Sequence, residues 1–296
     1  MAGTKTTQLP KATIGILGGT GLYEIDGFRG KREVNLRTPF GEPSGPYVVG
    51  TLEGRRVAFL ARHGKGHRLL PGEVNYLANI FGFKKLGVDR IISVNSVGSL
   101  REEIHPRDIV LPDQFFDRTH RPNTFFGDGI VAHVSLAQPV CPELARVLHE
   151  AAVGLGLRVH RGGTYISIEG PAFSTKAESL IYRSWGCDVI GMTSATEARL
   201  CREAEICYAT LSLATDYDVW HETEEPVTVE LVLKNLSSNI ANAKAVIKRA
   251  LAEMGKGGVS GCDCGSALKN TIVTAPAAIP AVTRKRLGPL VAKYLG

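Results

Sequence analysis

Thr13-Ile-Gly-Ile-Leu-Gly-Gly-Thr-Gly21 is the stretch whose reading decides the fold. A short apolar, β-branched run that stops at glycines is how a buried parallel strand gives way to a loop. The pattern recurs outward along the chain. Val57-Ala-Phe-Leu-Ala61, Arg90-Ile-Ile-Ser-Val94, Gly163-Thr-Tyr-Ile-Ser-Ile168 and Cys207-Tyr-Ala-Thr-Leu-Ser-Leu213 read as further buried strands. Pro142 to Gly154 reads as a helix, with proline near its start and Leu144, Val147, Leu148 and Ala151 on one face. Val229 to Met254 is a longer helix, ended by Gly255 and the Gly257-Gly258 pair. Lys256 to Ser266 reads as a glycine-rich loop, and Thr283 to Leu295 as a short closing helix. Strands alternating with helices predict an α/β fold whose mixed, mostly parallel central sheet is flanked by helices. No composition shift marks a boundary before residue 255, so a single domain over 13–296 is expected, behind a flexible tail at 1–12.

The 296 residues are 44% hydrophobic and 22% charged, an ordinary globular balance. A net charge of +6 suits an anionic ligand. Lysines and arginines are scattered, with no basic run interleaved with aromatics, which argues against nucleic acid. No apolar run reaches the ~20 residues that span a bilayer. Met1 to Lys11 lacks the apolar stretch of a secretory signal, so a cytoplasmic enzyme without a membrane partner is expected. Six cysteines stand at 141, 187, 201, 207, 262 and 264. Cys262-Asp263-Cys264 has no second close pair, which fits no four-ligand zinc spacing. Free buried thiols are expected at Cys141, Cys187, Cys201 and Cys207.

In parallel sheets ligands bind beyond the carboxyl ends of strands, so the segments that follow the strands matter most. Gly18-Gly19-Thr20-Gly21 offers backbone N–H groups and a hydroxyl to an anion, or else forms a merely structural turn. Its spacing is not G-x-G-x-x-G, and Asn35, Leu36 and Arg37 stand where a dinucleotide site wants an acid. Arg62-His63-Gly64-Lys65-Gly66-His67 reads as an anion site, with a planar guanidinium fork for phosphate and a histidine as a further donor, or else as a solvated basic loop. Zinc on His63 and His67 would need a helix, which Gly64 and Gly66 oppose. Asn95-Ser96-Val97-Gly98-Ser99 suits an oxyanion or a sugar, or else forms a plain strand-to-helix turn. Ser96 is no nucleophile elbow, because Val94 holds the first glycine position of G-x-S-x-G. Phe173, in a Gly/Pro-bounded loop, either stacks on a base or packs in the core. Met192 and Thr193 follow another apolar strand. Asp216 and Asp218 are either solvated loop charges or readers of a purine edge, one donating to N7 and one accepting from the exocyclic amine.

Together these segments resemble the 5'-methylthioadenosine phosphorylases, a branch of the trimeric purine nucleoside phosphorylase family. The resemblance runs from about Thr13 to Leu251. It is carried by Gly18-Gly-Thr-Gly21, Thr38-Pro-Phe-Gly41, Leu60-Ala-Arg-His-Gly64, Val74-Asn-Tyr76, Gly98-Ser-Leu-Arg-Glu-Glu103, Asp113-Gln-Phe115, Ile168-Glu-Gly-Pro171 and Ala214-Thr-Asp-Tyr-Asp218. It implies a phosphate site at Thr20, Arg62, His63, the Asn95-Ser96 backbone and Thr193. Met192 would pack beneath the ribose, Asp216 and Asp218 would face adenine, and Ser174 and Val229 would shape the base and sugar pockets. His67 matches a position near the sugar and its 5' group. His133 matches one that reaches into a neighbouring subunit's site, which implies a homotrimer or a dimer of trimers. The sequence departs from the pattern where Asn95-Ser96 replaces Thr-Ala, and where Ser194-Ala-Thr-Glu197 replaces Thr-Val-Pro-Glu or Ala-Met-Pro-Glu. Cys262-x-Cys264 resembles a pair that accompanies structural disulfides in some thermophilic members.

The implied reaction is attack by inorganic phosphate, a co-substrate, on the anomeric carbon as the bond to purine N9 breaks. No metal or redox cofactor is expected. Asp216 would be the general acid at N7, its pKa raised by burial and by Asp218. A phosphorylase for 6-oxopurine nucleosides would want an amide donor where the two aspartates stand. An oxidoreductase and a noncatalytic purine-binding regulator are the competing readings of other classes. Residues near Leu287 to Leu295 are expected to close an apolar 5' pocket that sets the preference for methylthio over hydroxyl.

Overall fold

Ile14 and Ile16 are buried in one apolar cluster and Leu17 in another, so the first strand is covered on both faces. The computed structural model describes residues 9–222, 228–257 and 261–295 and arranges them about an eleven-stranded sheet. The strands are β1 (Ile14–Gly18), β2 (Arg29–Val34), β3 (Tyr47–Leu52), β4 (Arg55–Ala61), β5 (Arg90–Ser99), β6 (Ile109–Leu111), β7 (Gln114–Arg118), β8 (Val159–Arg161), β9 (Thr164–Ile168), β10 (Val189–Gly191) and β11 (Cys207–Asp216). β1 lies between β4 and β5, parallel to both, with Ile14 beside Val57 and Arg90. β11 also runs parallel to β5, while β10 meets the far end of β5 antiparallel, Ser99 beside Val189. The sheet therefore forks at β5. One branch passes through β10 and β9 to the edge strand β7, the other through β11 and β6 to β8.

Among the described residues seven α-helices complete the layers: α1 (Tyr76–Lys85), α2 (Pro142–Val153), α3 (Lys176–Ser184), α4 (Ser194–Glu203), α5 (Val229–Gly257), α6 (Ala281–Leu287) and α7 (Ala292–Leu295). Leu144 and Leu148 of α2 and Val246 and Ile247 of α5 cover the face that carries Ile14, Ile16 and Phe59. Ile80 and Phe83 of α1 and Ala198 and Leu200 of α4 cover the face that carries Leu17, Ala58 and Leu60. Each such leucine, isoleucine, valine or phenylalanine contributes about 1.5–3 kcal/mol on burial, which is what holds helices to both faces. No described helix is long and apolar enough to cross a membrane.

Three features differ from the sequence reading. β5 continues through Asn95 and Ser96 to Ser99, so the segment read as a possible turn is strand. β11 continues to Asp216 with a bulge, Ala214 pairing with Val97 and Asp216 with the next residue, Gly98. The extra residue, Thr215, bends the strand where it meets the site. The expected closing helix is broken at Gly288-Pro289, because proline lacks the N–H that continuation requires. Its apolar residues Leu287, Leu290 and Val291 are buried in the cluster around α1 and do not line the cavity described below. Of the expected tail, residues 1–8 lie outside the described residues, and Ala12 is buried with its N–H donating to Leu86 O at 3.0 Å.

Candidate active site

β1, β4, β5 and β11 all end on one side of the sheet, and the residues that end or follow them line a cavity of about 600 Å³. Gly19 enters from β1, Arg62, His63 and His67 from β4, Asn95 and Ser96 from β5, and Asp216 and Asp218 from β11. Met192 and Thr193, between β10 and α4, form a further wall. Phe173, Ser174 and Val229 stand around the mouth, with Phe173 42% and Val229 66% exposed. Thr20 opens the helical turn after β1, and its side chain lies outside the described residues. His133 is not in the cavity. It lies exposed elsewhere, its N–H donating to Thr271 O at 3.0 Å.

At one end of the cavity, Arg62 is buried and its guanidinium is held by the protein. Nε donates to Glu197 Oε1, Nη2 to Glu197 Oε2 at 3.2 Å and to Ser93 Oγ at 2.7 Å, and Nη1 to Val94 O at 3.1 Å. Glu197, wholly buried on α4, also accepts from Ser93 Oγ at 2.8 Å and Tyr208 Oη at 2.9 Å. The fork that was expected to grip phosphate is therefore filled by a carboxylate, and Arg62 presents its remaining Nη1 edge and a fixed positive charge. Asn95 is likewise committed, its amide donating to Ser194 Oγ and Thr210 Oγ1, both at 2.7 Å. Its Oδ1 has no hydrogen-bond partner among the described residues, so that acceptor and the backbone are what it leaves to a ligand. Thr193 is the residue before the first turn of α4, so the positive end of a ten-residue helix faces this part of the cavity.

His63 departs from the role of donor. Its Nδ1 lies 2.8 Å from Leu69 O, and a carbonyl only accepts, so Nδ1 carries the proton. Burial, then the Arg62 charge, pushes its pKa down to about 4, so the ring is neutral and Nε2 is an acceptor. His67 stacks on it, ring centroids 4.4 Å apart and planes 17° from parallel. Gly64 and Gly66 have φ of 71° and 81°, so the pair sits in a loop and not on a helix.

The other end of the cavity belongs to the two carboxyls. Asp216 is buried, accepting from Thr215 Oγ1 at 2.6 Å on Oδ2 and from the Asp218 N–H at 2.8 Å on Oδ1. Burial raises its pKa against those two hydrogen bonds. Asp218, also buried and at φ 52°, is pushed up to about 6, chiefly by burial and further by the Asp216 charge. Its Oδ2 is buried without a hydrogen-bond partner among the described residues. These are not solvated loop charges. Gly98 makes the approach possible, since a Cβ there would lie 3.0 Å from Asp216 Oδ1 and 3.3 Å from the Asp218 Cβ.

Sequence reasoning gave no role to Glu197 or to Arg121. Arg121 is buried and donates to Met192 O at 2.6 Å, Glu169 O at 2.6 Å, Glu169 Oε1 at 2.9 Å and Tyr76 Oη at 2.8 Å. It ties the loop after β9 to the loop after β10, and so fixes Met192. Gly170, at φ 67°, is needed beside them, because a Cβ there would sit 2.5 Å from Met192 Sδ. Glu197 stood within the motif compared above, where a buried acid four residues into a helix looks like surface charge.

The cavity joins a cationic, helix-capped end to a pair of buried carboxyls. Residues 13–252 match the Phosphorylase superfamily. The chain is 55% identical over 287 residues to the S-methyl-5'-thioadenosine phosphorylase of Koribacter versatilis, covering 97% of this chain and 98% of that one. It superposes with a TM-score of 0.90 on the crystal structure of a methylthioadenosine phosphorylase from an Antarctic soil metagenomic library, at 48% identity over 95% of this chain and 99% of the other. The methylthioadenosine phosphorylase of Schistosoma mansoni, solved in complex with adenine, aligns at a TM-score of 0.79 and 35% identity, over 83% of this chain and 93% of that one. The chain belongs to the phosphorylase superfamily, in its S-methyl-5'-thioadenosine phosphorylase branch.

Proposed function

We propose that this pentosyltransferase cleaves 5'-methylthioadenosine with inorganic phosphate to give adenine and 5-methylthioribose 1-phosphate, as in purine and methionine salvage in the cytoplasm. The observation that carries the reading is the pair of buried carboxyls, Asp216 and Asp218, in the same cavity as Arg62 and the start of α4. Phosphate binds between Arg62, the Gly19-Thr20 turn, the Asn95-Ser96 backbone and Thr193. The neutral His63 accepts a proton-bearing oxygen through Nε2, and the bound phosphate stabilises the ribosyl cation that forms as the N9 bond breaks. Holding both reactants in line removes much of the entropic barrier. Met192 packs under the ribose, and Phe173, Ser174, Val229 and His67 bound the base, the sugar and its 5' group.

Two adjacent buried carboxyls resist carrying two charges, so they enter the reaction as a coupled pair holding a proton. Asp216 hands that proton to N7 as negative charge builds on the leaving purine, and Asp218 accepts from the 6-amino group. A 6-oxo group would place acceptor against acceptor. Asp216→Asn lowers kcat with methylthioadenosine by about 10²–10⁴, and near-normal turnover would remove Asp216 from the role. Phosphate-dependent release of free base from methylthioadenosine, adenosine and inosine, compared side by side, separates this reading from a general or 6-oxopurine phosphorylase. The active form is a homotrimer or a dimer of such trimers, in which His133 serves a neighbouring copy.

A further inference from the structure

Four of the six cysteines meet far from the nucleoside cavity. Cys141 precedes α2, Cys207 is the first residue of β11, and Cys262 and Cys264 lie just before and within the short 3₁₀ turn Cys264–Ser266. Their sulfurs all lie within 4.8 Å of one another, and Cys207 Sγ is 3.5 Å from Cys262 Sγ. We propose that Cys141, Cys207, Cys262 and Cys264 bind one zinc ion as a structural tetrathiolate site. In sequence the C-x-C pair has no second close pair. The fold supplies the other two sulfurs from a helix cap and a strand start.

The geometry favours an ion over pairing. A tetrahedral zinc with Zn–S of about 2.3 Å sets its sulfurs about 3.8 Å apart, each near the other three. A disulfide needs only one near partner for each sulfur. One of the sulfurs already has a donor that a metal-bound thiolate would keep. Cys141 Sγ accepts the Leu144 N–H at 3.4 Å at the positive end of a twelve-residue helix. Three of the four cysteines are buried in the core cluster shared with Leu148, Ala209 and Met254, where water would not compete for the ion. Binding releases the remaining thiol protons to solvent and requires no oxidant. The ion would join the segment that follows α5 to both α2 and β11. It would do so at the opposite end of β11 from Asp216, about nine strand steps or ~30 Å away.

The test uses the full chain purified without chelator from zinc-supplied cells. Elemental analysis and native mass spectrometry should give one zinc per chain. The cobalt-substituted protein should show the intense visible bands of tetrahedral thiolate coordination. Cys262→Ser and Cys264→Ser should each lower zinc content at least tenfold, whereas Cys187→Ser, in a separate cluster, should keep it. Zinc removal should lower the midpoint of thermal unfolding while kcat/KM of the folded fraction stays within about twofold. A native mass of the metal-free chain with four reactive thiols overturns the proposal, as does a mass two or four hydrogens lighter from disulfides. The wild-type mass and cobalt spectrum decide the matter even if a variant fails to fold.

Discussion

A buried arginine whose fork is occupied by a buried glutamate is a fixed charge, held in place before any ligand arrives. Arg62 was legible from its place after a strand. Glu197 was not, because only the tertiary structure turns that face of α4 inward. Glu197→Gln leaves the guanidinium buried without its counter-charge, so stability should fall by about 3–5 kcal/mol in chemical denaturation. The KM for phosphate should rise with it. Asp218 offers a test with the opposite sign. Its folded pKa of about 6 lies above the ordinary 3.8, so the folded state holds the proton where the unfolded chain has released it. Stability from this group is fully present below about pH 4 and is lost as pH rises through about 6. Asp218→Asn escapes that loss. Its stability relative to wild type should therefore improve by about 2 kcal/mol between pH 4 and pH 7.5, and a flat difference in the denaturation midpoint would contradict the buried-carboxyl account.

At the level of elements, the apolar cores of the strands were legible because β-branched runs have few other uses. Their polar ends were not. Asn95 to Ser99 and Thr215-Asp216 extend β5 and β11 past the apolar pattern, since one neighbour is another strand and the other is the cavity. Nor could the bulge at Thr215 be read, because it depends on the register of two strands distant in sequence. α3 is a local case. Thr175 Oγ1 accepts from Glu178 N at 3.2 Å, and Glu178 Oε2 accepts from Thr175 N at 2.8 Å, a reciprocal cap directly after Phe173 and Ser174. Thr175→Ala should cost about 1 kcal/mol of stability in urea unfolding. A loss below the error of the measurement would mean that tertiary packing alone fixes this helix start.

For the molecule as a whole, one surface is less polar than solvent exposure warrants. Phe116 on the edge strand β7, Leu180 and Ile181 on α3, and Trp185 just after it are 44%, 48%, 44% and 55% exposed. Phe116 and Trp185 stack edge to face, 5.4 Å between ring centroids. The assembly proposed above would dock a second copy on an apolar patch of this kind. Trp185→Glu should shift the sedimentation coefficient to that of a smaller species and lower activity per chain. An unchanged assembly would place the contact elsewhere.

The fork at β5 bears on the position of the cavity. β5 is the common seam of three branches, bonded to β1, to β11 and, at its far end, to β10. Each branch holds β5 through its own ladder, so the strand is fixed from three directions. β1 stops opposite Ser93 and β10 begins at Gly98, so Asn95 to Val97 are bonded to β11 alone and leave their other edge to the cavity. The cavity thus opens in the gap where the sheet divides, between the end of one ladder and the start of the next.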